Sequence, residues 1–480
     1  MGTTTTTTTT KVHLSSRSIT DAERETAAVL LQRARQAMQD IASLDQAAVD
    51  RLCRAITWVT SNETVAQRLA NMSVDETQMG GREPSRRLKA LGILRDALRQ
   101  KSMGVIEEIP EKGIVKYGKP AGVVAVLIPV TSPVVTPIGS AIYALKCKDA
   151  VIFCPHPASK KTTGEVIRLL RKALEREGIN PDVFQCVEKP SVPLTQALMS
   201  ICDLTVATGG QNMVRAAYSS GKPAYGVGAG NATIVVDETA DISEAARMIR
   251  TSKTNDNGSG CSADGNLLAD SRIYDALRSA LQKEGGYLLN DKEAQQLQAV
   301  YWDAGGHRTA ATIARPAAVI AELAGLALPE GKTFLLVEAR EIGKQHLFST
   351  EKLGPVLAMF RFEGFDQGLD KLRQIFDTGG KGHSCGIYSH DDEHIHRLAL
   401  AAPVSRMMVR QVQSKSNAGT FTNGMPMTSS MGCGIWGGNI TNENISLKHY
   451  MNVTWVSRPI PEDRPPDSEL FGEFYNTEIF

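Results

Sequence analysis

Between residues 20 and 100 apolar positions recur at helical spacing, with Val29, Leu30, Ala34, Met38 and Ile41, then Leu52, Ile56 and Val59, set among abundant Arg, Glu and Gln. That period predicts an amphipathic helical lead-in. From residue 122 the pattern changes to short uncharged runs alternating with helical stretches. Strands are predicted at 122–128, 150–154 and 204–208, with helices running to about 145, over 163–177 and after 210. Such alternation predicts βαβ units in a parallel, doubly wound sheet. The helix over 163–177 reads as opening on Thr162-x-x-Glu165, with Val166, Ile167, Leu170 and Leu174 within and Gly178 and Pro181 beyond.

A second alternating series starts at Ala232. It takes in a helix after Asp241-x-x-Glu244 and strands at 334–337, 356–362 and 405–410, which predicts a second α/β domain. A last strand over 452–457 precedes a proline-rich tail. A strand arriving so late is expected to complete a sheet elsewhere, in a neighbouring subunit for example. The expected division is a disordered Thr-rich tail over 1–19, a first domain with its helical lead-in over 20–235, a second over 236–430, and a return segment with the late strand over 431–480. The fold class is therefore α/β, with two doubly wound domains.

Residues 121–145 carry no charge and are long enough to imitate a membrane span. Pro129, Pro133 and Pro137, with Thr131 and Ser132, break the run into a strand, a turn and a helix, as a soluble domain requires. The first residues, Met1-Gly2 and eight threonines, lack the apolar core of a signal peptide. With 53 basic and 52 acidic residues the formal net charge is +1, so no global field attracts nucleic acid or an anionic membrane. Eight cysteines without close Cys-x-x-Cys pairs in 480 residues read as reduced thiols, which favours the cytoplasm.

Cys261 ends the run Asn255-Asp256-Asn257-Gly258-Ser259-Gly260, small and turn-forming residues that leave its backbone and sulfur approachable. A thiol is a strong nucleophile only as thiolate, and free N–H groups on a Gly-Ser-Gly approach can stabilise that charge and an adjacent oxyanion. Gly226-Val227-Gly228-Ala229-Gly230 resembles a phosphate loop, but a strand follows it where a dinucleotide fingerprint needs a helix. It reads equally as a ligand contact or a simple chain reversal. Thr208-Gly209-Gly210 joins a strand to a helix and is the better cofactor loop. His156, with Lys160 and Lys161, sits where a strand of the first domain ends; the lysines suit a 2′-phosphate, and a solvated helix start explains them as well. His390-Asp391-Asp392-Glu393-His394 matches a zinc-protease spacing, yet Ser389 to Asp392 reads as a turn and helix start, which places His390 before the helix.

Several of these segments together resemble the aldehyde dehydrogenase superfamily, in particular its CoA-acylating branch. The carriers are Ala207-Thr208-Gly209-Gly210 with Met213-Val214, the run from Ala216 to Pro223, Gly226 to Asn231, the Cys261 loop, Glu351-Lys352-Leu353-Gly354-Pro355, and Gly432 to Gly438 followed by Glu443-Asn444. The resemblance implies that Cys261 attacks an aldehyde, that the thiohemiacetal passes hydride to NADP or NAD, and that CoA takes the acyl group. It makes the first domain the NAD(P)-binding one, with Glu351 on the nicotinamide ribose. Thr131, Pro155, His156, Pro157, Lys160, Gly209, Gly210, Gly228 and Pro355 are the further cofactor-binding positions.

Hydrolytic members carry a water-activating Glu where this chain has Gly226, so the thioester is expected to wait for a thiol. Where members usually have an oxyanion Asn, this chain reads Thr131-Ser132-Pro133, and Ser132 is the expected substitute. The stretch from Gly419 to Cys433 is most similar to branch members acting on sulfoacetaldehyde, with succinate semialdehyde and acetaldehyde as alternatives. A small anionic tail would then meet Ser259, Arg410, Lys415 and Ser416. A homodimer or homotetramer joined through the late strand is expected by family analogy. Competing readings are a zinc hydrolase at His390 and His394, and a non-catalytic scaffold that need not bind NAD(P).

Overall fold

The computed structural model describes residues 17–84 and 86–477. Most of the tail expected over 1–19 lies outside the described residues. Four helices lead in: α1 (Asp21–Ala42), α2 (Gln46–Ser61), α3 (Glu63–Thr77) and α4 (Arg87–Leu98). A hairpin of β1 (Gly104–Ile109) and β2 (Ile114–Pro120) follows. The first α/β unit then runs β3 (Val123–Ile128), α5 (Val135–Lys146), β4 (Ala150–Pro155), α6 (Lys160–Arg176) and β5 (Phe184–Cys186). It continues through α7 (Val192–Ile201), β6 (Leu204–Thr208), α8 (Gln211–Tyr218) and β7 (Ala224–Val227).

Its five strands are all parallel, in the order β5-β4-β3-β6-β7. Helices cover both faces, which is why β3 is apolar throughout instead of alternating. Val124, Val126 and Ile128 pack toward α2, α4 and α5, while Val123, Ala125 and Leu127 pack toward α1 and α7. The uncharged run over 121–145 is thus a strand, a turn and a core helix. Among the described residues no helix is long and apolar enough to cross a membrane.

The second unit begins with β8 (Thr233–Val236), α9 (Ile242–Thr254), β9 (Asn266–Asp270), α10 (Tyr274–Lys283) and β10 (Gly286–Leu288). Next come α11 (Asp291–Tyr301), α12 (Ala317–Leu323), β11 (Phe334–Glu338), β12 (Val356–Phe362) and α13 (Phe365–Thr378). It closes with β13 (Cys385–Tyr388), α14 (Asp392–Ala401), β14 (Met407–Val409) and α15 (Gln413–Ser416). Its seven parallel strands lie in the order β10-β11-β12-β9-β8-β13-β14. Because β8 pairs with β9 and β13, the change of sheet falls at 228–232, a few residues before the division expected at 235.

The return segment packs Ile445, Leu447 and Tyr450 into the first core. It ends in β15 (Met451–Ser457), antiparallel to β2 from Met451 opposite Pro120 to Ser457 opposite Ile114. The late strand therefore pairs within its own chain first.

One expected cap is different. The helix α6 starts at Lys160, before Thr162, and Ser159 makes no side-chain cap. Glu76 of α3 instead accepts the Lys161 and Thr162 N–H groups at 2.8 and 2.7 Å, and Glu165 turns outward to Arg68 and Arg168. A distant carboxylate at a helix N-terminus satisfies the same orphan donors as a local cap, with a favourable dipole term. Replacing Glu76 by Ala is expected to cost about 1 kcal/mol of stability, read by denaturant unfolding; an unchanged midpoint would contradict this capping role.

Candidate active site

Asp241 caps α9 by accepting the Glu244 N–H at 2.9 Å, as the Asp-x-x-Glu spacing predicts. Past its end the chain turns through three consecutive left-handed residues, Asp256 (φ 48°), Asn257 (φ 52°) and Gly258 (φ 69°). Asn and Asp tolerate this region better than other side chains, and Gly258 is required because a Cβ there would stand 2.6 Å from the Gly354 carbonyl oxygen. Partners hold the turn. Asn257 Nδ2 donates to the Gly80 carbonyl at 2.8 Å, and Arg86 Nε donates to Asp256 Oδ2 at 3.1 Å.

This turn delivers Cys261, half-buried, to a cavity of ≈ 750 Å³. On its other side the segment between the two sheets presses close: a Cβ on Gly230 would come within 2.0 Å of the Cys261 carbonyl oxygen. His383, buried just before β13, places Nε2 3.0 Å from Cys261 Sγ and Nδ1 2.9 Å from Ser384 Oγ. With Nδ1–H donated to Ser384, Nε2 is free to accept the thiol proton. Burial pushes the Cys261 thiol up to about 12, with Glu351 and Cys433 adding and Arg406 opposing. Burial and Arg406 push His383 down to about 3. Both partners are therefore neutral at pH 7, and the sulfur is activated only as its proton moves.

Ser132 Oγ accepts from Arg86 Nη1 at 2.6 Å, which leaves its own O–H to donate into the cavity. Among the described residues the Cys261 N–H has no backbone acceptor and meets only its own sulfur. Glu351 lines the same cavity, with Oε1 accepting the Gly230 N–H at 3.0 Å and Oε2 paired to Arg308 Nη2 at 3.1 Å. Burial raises its pKa, and Arg308 opposes the rise.

The carboxyl ends of the first sheet open onto the cavity through Thr131 and Ser132, His156, Gly209 and Gly210, and Gly228. Gly210 precedes α8 without a side-chain cap, and nothing lies within 4 Å of where its Cβ would be. Open N–H groups and a bare backbone there fit a pyrophosphate, so these residues suit a dinucleotide.

Other expected positions lie apart from the cavity lining. Pro155 ends β4, Pro157 opens the 3-10 turn before α6, Lys160 begins α6, and Pro355 is buried, its carbonyl accepting the Leu335 N–H. Of the expected substrate residues, Ser259 and Lys415 line the cavity and two do not. Arg410 is tied to the Ser389 carbonyl at 2.7 Å and to His390 Nδ1 at 3.2 Å, and Ser416 is buried in α15. The zinc spacing also disperses: His390 meets Arg410, while His394 bonds Asp237 at 2.8 Å and stacks on Phe365.

Sequence reasoning missed His383, Arg308, Arg86 and Lys89. The first directly follows the glycine-rich run Gly379-Gly380-Lys381-Gly382, a signal for close backbone approach. Arg86, Arg87 and Lys89 crowd the N-terminus of α4, where no acidic residue sits in the first turn. That is the wrong charge for a helix start and a signal in its own right.

Residues 7–300 match the model of the aldehyde dehydrogenase family. A sulfoacetaldehyde dehydrogenase from an Acholeplasma species is 41% identical over 451 residues, 92% of this chain and 93% of its own. An acylating sulfoacetaldehyde dehydrogenase from Bilophila wadsworthia is 38% identical over 458 residues, 94% of this chain and 99% of its own. The crystal structure of an acetylating aldehyde dehydrogenase from Geobacillus thermoglucosidasius superposes with a TM-score of 0.89 at 32% identity, covering 93% of this chain and 99% of the other.

Two outcomes follow from the geometry. With a thiol pKa of about 12, alkylation of Cys261 by iodoacetamide should keep accelerating, about tenfold per pH unit, from pH 7 to 10. A plateau near pH 7 would mean a preformed thiolate. Gly230→Ala should displace the Cys261 loop and lower kcat/KM about 100-fold; wild-type kinetics would show that the close approach is dispensable.

Proposed function

Because this chain belongs to the aldehyde dehydrogenase family, we propose that it oxidises a small anionic aldehyde, sulfoacetaldehyde first, to its acyl-CoA thioester with NADP or NAD. The observation that carries the acylating outcome is the packing at Gly226. Any side chain there would drive into Val214 and Tyr218, at 2.5 and 2.9 Å from its Cβ, so no carboxylate reaches Cys261 from the strand where a water-activating Glu would stand. Two of the carboxylates that line the cavity are engaged: Asp256 with Arg86, and Glu351 with Arg308 and the Gly230 N–H.

His383 Nε2 takes the Cys261 proton as sulfur bonds the aldehyde carbon. The developing oxyanion is met by the Ser132 hydroxyl and the Cys261 N–H. A bound nicotinamide would supply the hydride acceptor, and Glu351, which lines the cavity, would hold its ribose. Loss of hydride from the thiohemiacetal leaves a thioester on Cys261. With His383 holding the Cys261 proton and no carboxylate at position 226, the thioester persists until the thiol of CoA, giving its proton to solvent, attacks the acyl carbon; Cys261 departs as thiolate and regains at Sγ the proton held on His383 Nε2. Aldehyde, CoA and oxidised cofactor become acyl-CoA, reduced cofactor and a proton.

The reading extends to a cytoplasmic homodimer or homotetramer. Its support is eight free cysteines and the outer edge of β15, where Val453, Trp455 and Val456 are exposed.

Purified protein with NADP and sulfoacetaldehyde should reduce cofactor in sustained turnover only when CoA is present, and Cys261→Ala should abolish it. Succinate semialdehyde, acetaldehyde and NAD in parallel identify the preferred pair. Sustained turnover without CoA would overturn the acylating assignment.

A further inference from the structure

A short aldehyde bearing an anionic group one carbon from its carbonyl brings that charge almost to the nucleophile. Any residue that recognises it must therefore stand beside Ser132 and Ser259, the hydroxyls flanking the reacting position. Arg86 does: Nη1 donates to Ser132 Oγ at 2.6 Å and Nη2 to Ser259 Oγ at 3.2 Å, while Nε is fixed by Asp256 at 3.1 Å. Three of its five N–H donors are engaged among the described residues, leaving two on the fork that lines the cavity.

Lys89 lies three residues on, on the same helical face, and lines the same cavity. Its ammonium donates to the carbonyls of Ala418, at 2.7 Å, and Gly419, and contacts Met427 Sδ, with no carboxylate in ion-pair distance among the described residues. A half-buried ammonium bonded to carbonyls and a thioether, with Asp96 acting on it only from beyond ion-pair distance, keeps part of its charge uncompensated. Burial pushes it down to about 8, so it remains mostly protonated at pH 7. The dipole of α4 adds to this positive field.

We propose that Arg86 and Lys89 form the anchor for the substrate's anionic tail, with the Arg86 fork and the hydroxyl of Ser259 gripping a sulfonate or carboxylate while its carbonyl faces Cys261. The anchor rests on the reading of the chain as an aldehyde dehydrogenase for anionic aldehydes. It replaces Arg410 and Ser416 in that role, since neither lines the cavity. Arg suits a tetrahedral or planar oxyanion because its fork bonds two oxygens at once, and Lys89 supplies a second point charge.

The test compares kcat/KM for sulfoacetaldehyde, succinate semialdehyde and propionaldehyde, a neutral chain of similar length, in wild type, Arg86→Gln, Arg86→Lys and Lys89→Met. The ratio of sulfoacetaldehyde to propionaldehyde should fall about 10- to 100-fold in Arg86→Gln and Lys89→Met, with Arg86→Lys between them and wild type. The succinate semialdehyde arm shows whether a carboxylate is gripped as well as a sulfonate. A second readout needs no turnover: ethanesulfonate should protect Cys261 from iodoacetamide in wild type and fail to do so in Arg86→Gln. Equal losses on charged and neutral aldehydes would mean that Arg86 serves the oxyanion or the loop, and would overturn the anchor. So would an unchanged ratio, with protection retained. Wild type that prefers propionaldehyde and gains no protection would overturn the anionic-substrate reading itself, a result distinct from failure of the variants alone.

Discussion

The site depends on the close contact between the segment joining the two sheets and the nucleophile loop. Gly230 lies so near Cys261 that no side chain fits, and the same residue gives its N–H to Glu351. Its neighbour Asn231 is buried and donates to the Ser349 carbonyl at 2.9 Å and to Thr378 Oγ1 at 3.2 Å. Asn266 donates to Asn231 Oδ1 at 2.9 Å and accepts from the buried Lys352 at 2.7 Å. Five polar side chains thus tie the crossing to the second sheet, and a buried network of this kind is stable only when its members are satisfied. The contact sets the distance between a nucleophile carried by one unit and a cofactor surface carried by the other.

Around that contact the electrostatics favour a quiet resting state. Burial makes a thiolate at Cys261 costly, with Glu351 and Cys433 adding to the cost, and burial with Arg406 makes an imidazolium at His383 costly. The Cys261–His383 pair stores its proton until a carbonyl is present to receive the sulfur. Such a pair discriminates by chemistry: no carboxylate stands at position 226 to activate water, and the thioester responds to a thiol that brings its own nucleophile. The cations Arg86 and Lys89 line the same cavity as the residues suited to a dinucleotide.

Much of the fold was legible because helix and strand periods are local. The lead-in helices, β3, β4, β6, β8, β12 and the late strand appear where the apolar pattern places them. The motif-borne positions Cys261, Glu351, Gly209 and Gly210 also reach one cavity. What escaped was long-range. Glu76 caps a helix 85 residues away in sequence, and His383 meets Cys261 across 122. Arg410 looked like an anion partner by its charge and proximity in sequence, but a left-handed backbone (φ 47°) and two local bonds turn it aside. No spacing rule reports such contacts, because they are made by topology. The cations of α4 were the exception, since their misfit with the helix dipole was visible and went unread.

The most direct measurement is intact and peptide mass spectrometry of the protein incubated with sulfoacetaldehyde and NADP in the absence of CoA. The account predicts an acyl adduct on the Cys261 peptide that persists over the incubation and disappears, with sulfoacetyl-CoA formed, when CoA is added. An adduct that clears at the same rate without CoA, or one carried by another cysteine, would contradict it.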